Sequence, residues 1–307
     1  MRPRTLWGVQ LLDWTAKKTS AIGRLALMAG LGGVLAAALV LPVVAATGIL
    51  VRNTSDKFTT LSVDNSSLPQ RSVIYDREGN LITYVYGVDL GKGMTYTGIN
   101  RAPVGYSKIS PNMTEAIVAI EDDRFWQHGA LDVKGTFRAL VNDLEHKPVQ
   151  GGSTLEQQWV KNVLVLQGLD NPAAQQAAIA QTLSRKIDQL RMAVQIAHTM
   201  SKADILAGYL NDAYFGSGAY GIEAAAETYF NTTAAKLTLL QSATLAGIVE
   251  NPSLYDPATN PAASIERRNT VLDRIAVTDP TALTPAAAKV LGAKKLVLNN
   301  GTVQSGC

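Results

Sequence analysis

The chain has 307 residues, 47% of them hydrophobic, enough for one substantial core and accessory segments. Its formal charge of +3, from 28 basic against 25 acidic side chains, is too mild to argue for nucleic acid as a partner. The single cysteine, Cys307, excludes an internal disulfide and a cysteine-based zinc site, and three scattered histidines make a poor metal site.

Residues 25–51 carry no charge and are bracketed by Arg24 and Arg52. As a helix rising about 1.5 Å per residue they would reach about 40 Å, against a hydrocarbon core of roughly 30 Å. Ahead of them lie Arg2, Arg4, Lys17, Lys18 and Arg24 against Asp13 alone. That excess places residues 1–24 in the cytoplasm and the remainder outside, on a single-pass plasma-membrane anchor. A cleaved signal peptide ending near Val44-Ala45-Ala46 is the alternative. The run exceeds the usual signal core of about 7–15 residues, which favours a retained anchor.

Residues 52–105 read as a linker. They are polar over 53–70, then β-prone at 72–75 and 81–86 around Asp76-Arg77-Glu78-Gly79-Asn80, a short hairpin. From Pro111 helical periodicity takes over. Val133, Phe137, Leu140, Val141 and Leu144 form one apolar helix face. Residues 173–200 read as one long helical stretch with Ile187, Leu190, Val194 and Ala197 as its stripe. Helices are also expected at 202–211 and 238–250, the second stopped by Asn251-Pro252. Gly216, Gly218 and Gly221 mark a tight turn between helices. The resulting expectation is a mainly α domain over 106–276, followed by a tail at 277–307.

The chemistry sits in short blocks. In EDDRFWQHGALD, 121–132, three acids follow an apolar helical run. Carboxylates at a helix C-terminus oppose its dipole and one another, which raises pKa and suits a general base, although a solvated acidic helix end fits the same pattern. In GGSTLEQQWVKN, 151–162, Ser153 or Thr154 can cap a helix whose free amides suit an anion, with Gln157, Gln158 and Lys161 further along. In SRKIDQ, 184–189, Arg185, Lys186 and Gln189 share a helix face; adjacent cations beside polar groups suit a diphosphate, and equally a solvated face.

These blocks, in this order, with Leu245-Ala246-Gly247, Asn251-Pro252, Tyr255-Asp256-Pro257 and Glu266-Arg267-Arg268-Asn269 after them, resemble the family 51 peptidoglycan glycosyltransferase domain of class A penicillin-binding proteins. The resemblance implies a lysozyme-like fold with a small membrane-facing lobe. It implies polymerisation of lipid II into β-1,4-linked glycan with release of undecaprenyl diphosphate. It also implies a divalent cation (magnesium or manganese) that often assists, no organic cofactor, and other cell-wall synthesis proteins as partners. Glu121 becomes the catalytic base, and Gln189 stands where the family has a second catalytic glutamate. Asp122, Phe125, Ser153, Thr154, Gln157, Gln158, Lys161, Arg185 and Lys186 become the substrate and diphosphate set. Gln189, Gln181 and Ala130 depart from the family pattern, so a weakened or binding-only relative is the alternative reading. A lysozyme-like hydrolase is a further one, disfavoured by the anchor and by Arg185-Lys186. No Ser-x-x-Lys occurs, so a transpeptidase domain is not expected in this chain.

Overall fold

The computed structural model describes residues 68–86, 99–132, 153–168, 171–180 and 182–299, which lie in one compact unit. The expected anchor at 25–51, the helix expected at 133–144, and Gly151, Gly152 and Gln181 fall outside the described residues. Among the described residues no helix is long and apolar enough to cross a membrane.

Two short ladders precede and brace a helical body. Strands β1 (Ser72–Tyr75) and β2 (Leu81–Val85) pair antiparallel, with Ser72 opposite Val85. The Asp76 carboxylate closes the connection by accepting the Asn80 N–H at 2.7 Å and its side-chain amide at 2.8 Å. Strand β3 (Asn100–Arg101) pairs in parallel with β4 (Ala219–Tyr220).

Helix α1 (Pro111–Glu121) starts where Ser110 accepts the Asn112 N–H and proline occupies the first turn, a favourable pairing of cap and fixed φ. It packs against α7 (Leu239–Ile248) and α9 (Pro261–Thr278), and α10 (Pro285–Gly292) lies on α9. Helix α2 (Leu155–Gln167) forms a second centre, packed on α3 (Pro172–Ile179), α4 (Leu183–Thr199) and α5 (Lys202–Asp212). Helices α6 (Ile222–Phe230) and α8 (Pro252–Tyr255) fill the remaining turns. Gly221 enters α6 at φ 84, and a Cβ there would lie 2.6 Å from the Asn211 carbonyl oxygen, so the turn requires glycine twice over.

Residues 173–200 are two helices, not the single stretch their composition suggests. Ala180 leaves helical geometry at ψ 139, and Thr182 restarts the chain by accepting the Arg185 N–H. The break is cap chemistry, which outweighs the helix-forming propensity of the residues on either side. The expected boundary at 276 is crossed by α9, which runs to Thr278, and α10 folds back upon it. Arg268 donates to the Gly292 carbonyl at 2.8 Å and the Asn299 N–H reaches the Tyr229 carbonyl at 3.0 Å. The described part of the expected tail is therefore integral to the body.

A buried polar knot holds α2 in place. Arg101 and Asp212 have side chains at 0% exposure and pair at 2.6 Å. Arg101 Nε also donates to the Asn211 carbonyl, and Trp159 Nε1 donates to the second Asp212 oxygen at 2.8 Å. Gly208 lets α5 approach that indole: a Cβ there would fall 2.2 Å from the ring. Removing one partner of such a pair strands a buried charge. Asp212→Ala is expected to cost about 3–5 kcal/mol in denaturant unfolding, whereas Asp204→Ala, at the exposed start of α5, is expected to cost only about 1 kcal/mol as a lost helix-end contact.

Candidate functional site

The three acids that end α1 go to three different partners. Glu121 accepts a hydrogen bond from Gln158 Nε2 of α2 at 2.9 Å. Asp122 is buried; one oxygen accepts the Leu155 N–H at the start of α2 at 3.1 Å, the other meets His128 Nε2 at 2.7 Å. Asp123 takes Arg274 of α9 at 2.7 Å. Asp122 thus supplies a carboxylate to a helix N-terminus, where negative charge is stabilised, and leaves Glu121 as the acid facing α2's polar side.

Around Glu121 the chain assembles a charged wall. Burial raises the Glu121 pKa, and the Gln158 hydrogen bond with the charges of Arg267 and Lys161 opposes that rise. Burial pulls the Lys161 pKa down, as does Arg185, while Glu121 supports the charged form. Burial, Arg185 and Lys161 in turn lower the Lys186 pKa. These groups feel one another, so α1, α2, α4 and α9 converge on a single electrostatic centre, rich in cations and with one carboxyl of raised proton affinity. Tyr209 of α5 lies beneath it, fully buried, with its hydroxyl 3.4 Å from Gln158 Oε1 and its pKa driven well up by burial and by Glu121.

The residues marked out in the sequence separate into two groups. Glu121, Gln158, Lys161, Arg185 and Lys186 belong to the centre, and Ser153 joins it by accepting Lys186 Nζ at 3.0 Å. Asp122, Phe125, Thr154, Gln157 and Gln189 are buried and act as its supports, not as exposed ligand contacts. Phe125 lies at 0% exposure under the Lys202 ammonium, 4.2 Å from the ring centroid. Thr154 accepts the Gln157 N–H as the cap of α2 and donates to the Ala130 carbonyl at 3.1 Å. Gln189 accepts from Arg185 Nη1 at 3.1 Å and donates to the Gln157 carbonyl. Asp188 points instead to Arg191, 3.6 Å away, and offers no second carboxylate to the centre.

Five participants carried no role in the sequence reading. His128 pairs with Asp122; burial works against its charged form, but the Asp122 hydrogen bond and the Gly129 carbonyl outweigh this and hold its pKa above the ordinary value. Tyr209 underlies Gln158. Arg267 of α9 projects its charge toward Glu121 and pairs with Glu250 at 3.1 Å. Gly247 permits this, since a Cβ there would come within 2.9 Å of Arg267 Cγ. No periodicity links 250 to 267 or 158 to 209, so no sequence signal marks these pairs.

Among the described residues the donors do not fit a divalent cation. Asp122, His128 and Asp132 bring ligand atoms within 4.8 Å of one another. Both Asp122 oxygens are already engaged, and Asp132 is paired with Arg124. The charged neighbours of Glu121 are Arg267, Lys161 and Glu250, the last already paired with Arg267, and the Gln189 oxygen is occupied by Arg185. A hard cation favours free carboxylate oxygens, and this wall supplies positive charge in their place.

A family model described as Transglycosylase matches residues 90–276. Penicillin-binding protein 1A of Aquifex aeolicus is 38% identical over 209 residues, covering 67% of this chain and 26% of that protein. Penicillin-binding protein 1A of Escherichia coli is 34% identical over 209 residues, covering 68% and 23%. This chain spans about a quarter of the length of those curated relatives. The crystal structure of Penicillin-Binding Protein 1A from Haemophilus influenzae aligns at a TM-score of 0.39 with 20% identity, over 77% of this chain and 22% of that one.

The raised Glu121 pKa has a signed consequence for stability. A carboxyl that holds its proton more tightly when folded loses stability as pH rises through the unfolded and then the folded value. Glu121→Gln is therefore expected to melt a few degrees higher than the native protein at pH 7.5. The gap should close near pH 3.5, where both states of the native carboxyl are protonated; a gap that widens on acidification contradicts the assignment.

Proposed function

The chain belongs to the transglycosylase family, the glycosyltransferase domain of class A penicillin-binding proteins, and from that premise we propose that it polymerises lipid II into β-1,4-linked glycan at the Glu121 centre. The observation that carries this reading is the Glu121 carboxyl, held by Gln158 and of raised proton affinity, beside Lys161, whose charge in turn is felt with that of Arg185 by Lys186.

Glu121 takes the proton from the 4-hydroxyl of the acceptor sugar as that oxygen attacks the anomeric carbon of the growing strand's terminal sugar. The bond from that carbon to the diphosphate oxygen breaks with its electron pair, and the α linkage becomes β in one inverting displacement. Raised proton affinity makes the ionised carboxylate a stronger base than an ordinary glutamate, and a positioned base contributes about 10²–10⁴-fold. Gln158 holds the Glu121 oxygen in place and is backed by Tyr209. Lys161, Arg185 and Lys186 meet the departing diphosphate; their lowered or crowded charges are relieved when it binds, so the cradle favours the charge that develops as the bond breaks. No step requires a metal ion from the described residues. The lysozyme-like character of the fold, its membrane-facing lobe, the single-pass anchor at 25–51 and association with other cell-wall synthesis proteins belong to this same proposal.

Two measurements test it. Incubated in detergent with labelled lipid II, the native protein should make long glycan sensitive to lysozyme, and Glu121→Gln should lose about 10²–10⁴-fold in rate; no polymer, beside a working relative, removes the reading. Glu250→Gln takes away a like charge that raises the Glu121 pKa and frees Arg267 from its partner. Both changes favour the ionised base, so the acidic limb of the pH–rate profile is expected to move to lower pH. A limb that stays fixed or moves upward means that the Arg267–Glu250 pair does not act on the base.

A further inference from the structure

We propose that Gln189 is a positioning residue whose neutral amide orients Arg185 and fastens α4 to α2, a task that a carboxylate at this position cannot perform. It rests on the reading of Arg185 as a ligand of the diphosphate.

The Gln189 side chain is 3% exposed and spans two elements. Its oxygen accepts from Arg185 Nη1 at 3.1 Å, one helical turn back. Its nitrogen donates to the main-chain carbonyl of Gln157, in the first turn of α2. The orientation of this amide follows from its partners: a guanidinium only donates and a carbonyl only accepts, so oxygen must face Arg185 and nitrogen must face Gln157. Arg185 is held a second time, through Nε, by the Ala180 carbonyl at the break before α4. Two contacts on two edges fix the plane of the guanidinium, which is the preorganisation that planar recognition of a phosphate requires.

A glutamate here would behave differently. It has no hydrogen to give the Gln157 carbonyl, so two acceptors would face each other in a buried site. It would also take Arg185 into a full ion pair and draw that charge away from the leaving group. The catalytic carboxylate that the family pattern places at this position is thus replaced by a strut: Gln158 and Tyr209 secure the base, while Gln189 secures the cation.

The test separates positioning from general loss of structure. Farnesyl diphosphate affinity is measured by calorimetry on the full chain in detergent, for the native protein, Gln189→Glu, Gln189→Met, Arg185→Ala and the double variant Arg185→Ala with Gln189→Met, each verified as folded by circular dichroism. Gln189→Glu and Gln189→Met should each weaken binding roughly tenfold, the scale of one hydrogen bond to a charged group. In the Arg185→Ala background Gln189→Met should cost almost nothing more, because the two residues act as a unit. With lipid II, the KM of the single variants should rise more than kcat falls. Additive losses in the double variant overturn the proposal, as does Gln189→Glu polymerising faster than the native protein, which would make the glutamine a lost catalytic acid. Native protein that shows the coupled diphosphate pattern without making polymer sinks the polymerase reading and leaves the Gln189 assignment standing.

Discussion

The site depends on one junction, the meeting of the acidic end of α1 with the first turn of α2. A helix C-terminus is an unfavourable place for carboxylates, because the dipole there is already negative. The chain resolves the conflict by bringing a second helix N-terminus to it. Asp122 is taken up by the Leu155 N–H and His128, and Asp123 by Arg274. Glu121 accepts instead from the side-chain amide of Gln158. Burial raises the proton affinity of Glu121 against that hydrogen bond.

The cationic side follows the same logic with the signs reversed. Lys161 and Lys186 are disfavoured as charges by burial and by Arg185, so the cationic side is in tension. In the proposed reaction a bound diphosphate would relieve that tension, and bond breaking, which adds charge to the leaving oxygen, would relieve more of it. Neutral side chains keep the two signs apart until substrate arrives. Gln158 stands against the base and Gln189 against Arg185, each with its amide ends assigned to separate partners. Were the cations to pair directly with Glu121, they would stabilise its ionised form and weaken it as a base.

Much of this was legible in the residues themselves. The order of the blocks brought Glu121, Gln158, Lys161, Arg185 and Lys186 forward through the family resemblance, since residue type and spacing alone fit solvated or capping roles equally well. Helix α2 was readable from its Thr154 cap and α7 from the Asn251-Pro252 stop that follows it, because these signals are local. What stayed hidden was set by tertiary approach. Phe125, Thr154 and Gln157 lie on the right segments, but their burial depends on what packs over them. The break at residue 180 was masked by good helix formers on both sides. Glu250 and Arg267 meet because Gly247 allows α9 to ride close over α7, and nothing in either segment announces the other.

Helix α2 shows how so uncomfortable a centre is tolerated. Leu155, Trp159, Val163 and Leu166 are buried along one side, with Trp159 anchored to Asp212 and, through it, to Arg101. Gln158 and Lys161 stand on the other side, three residues apart and therefore neighbours on the helix surface. The core face supplies the rigidity and the polar face carries the tension. Because both belong to one helix, Gln158 and Lys161 cannot retreat from Glu121 without disturbing the Trp159 contacts. Preorganisation at the base is in this sense a consequence of packing behind it: an apolar stripe and a buried ion pair hold a polar surface that would otherwise rearrange to neutralise itself.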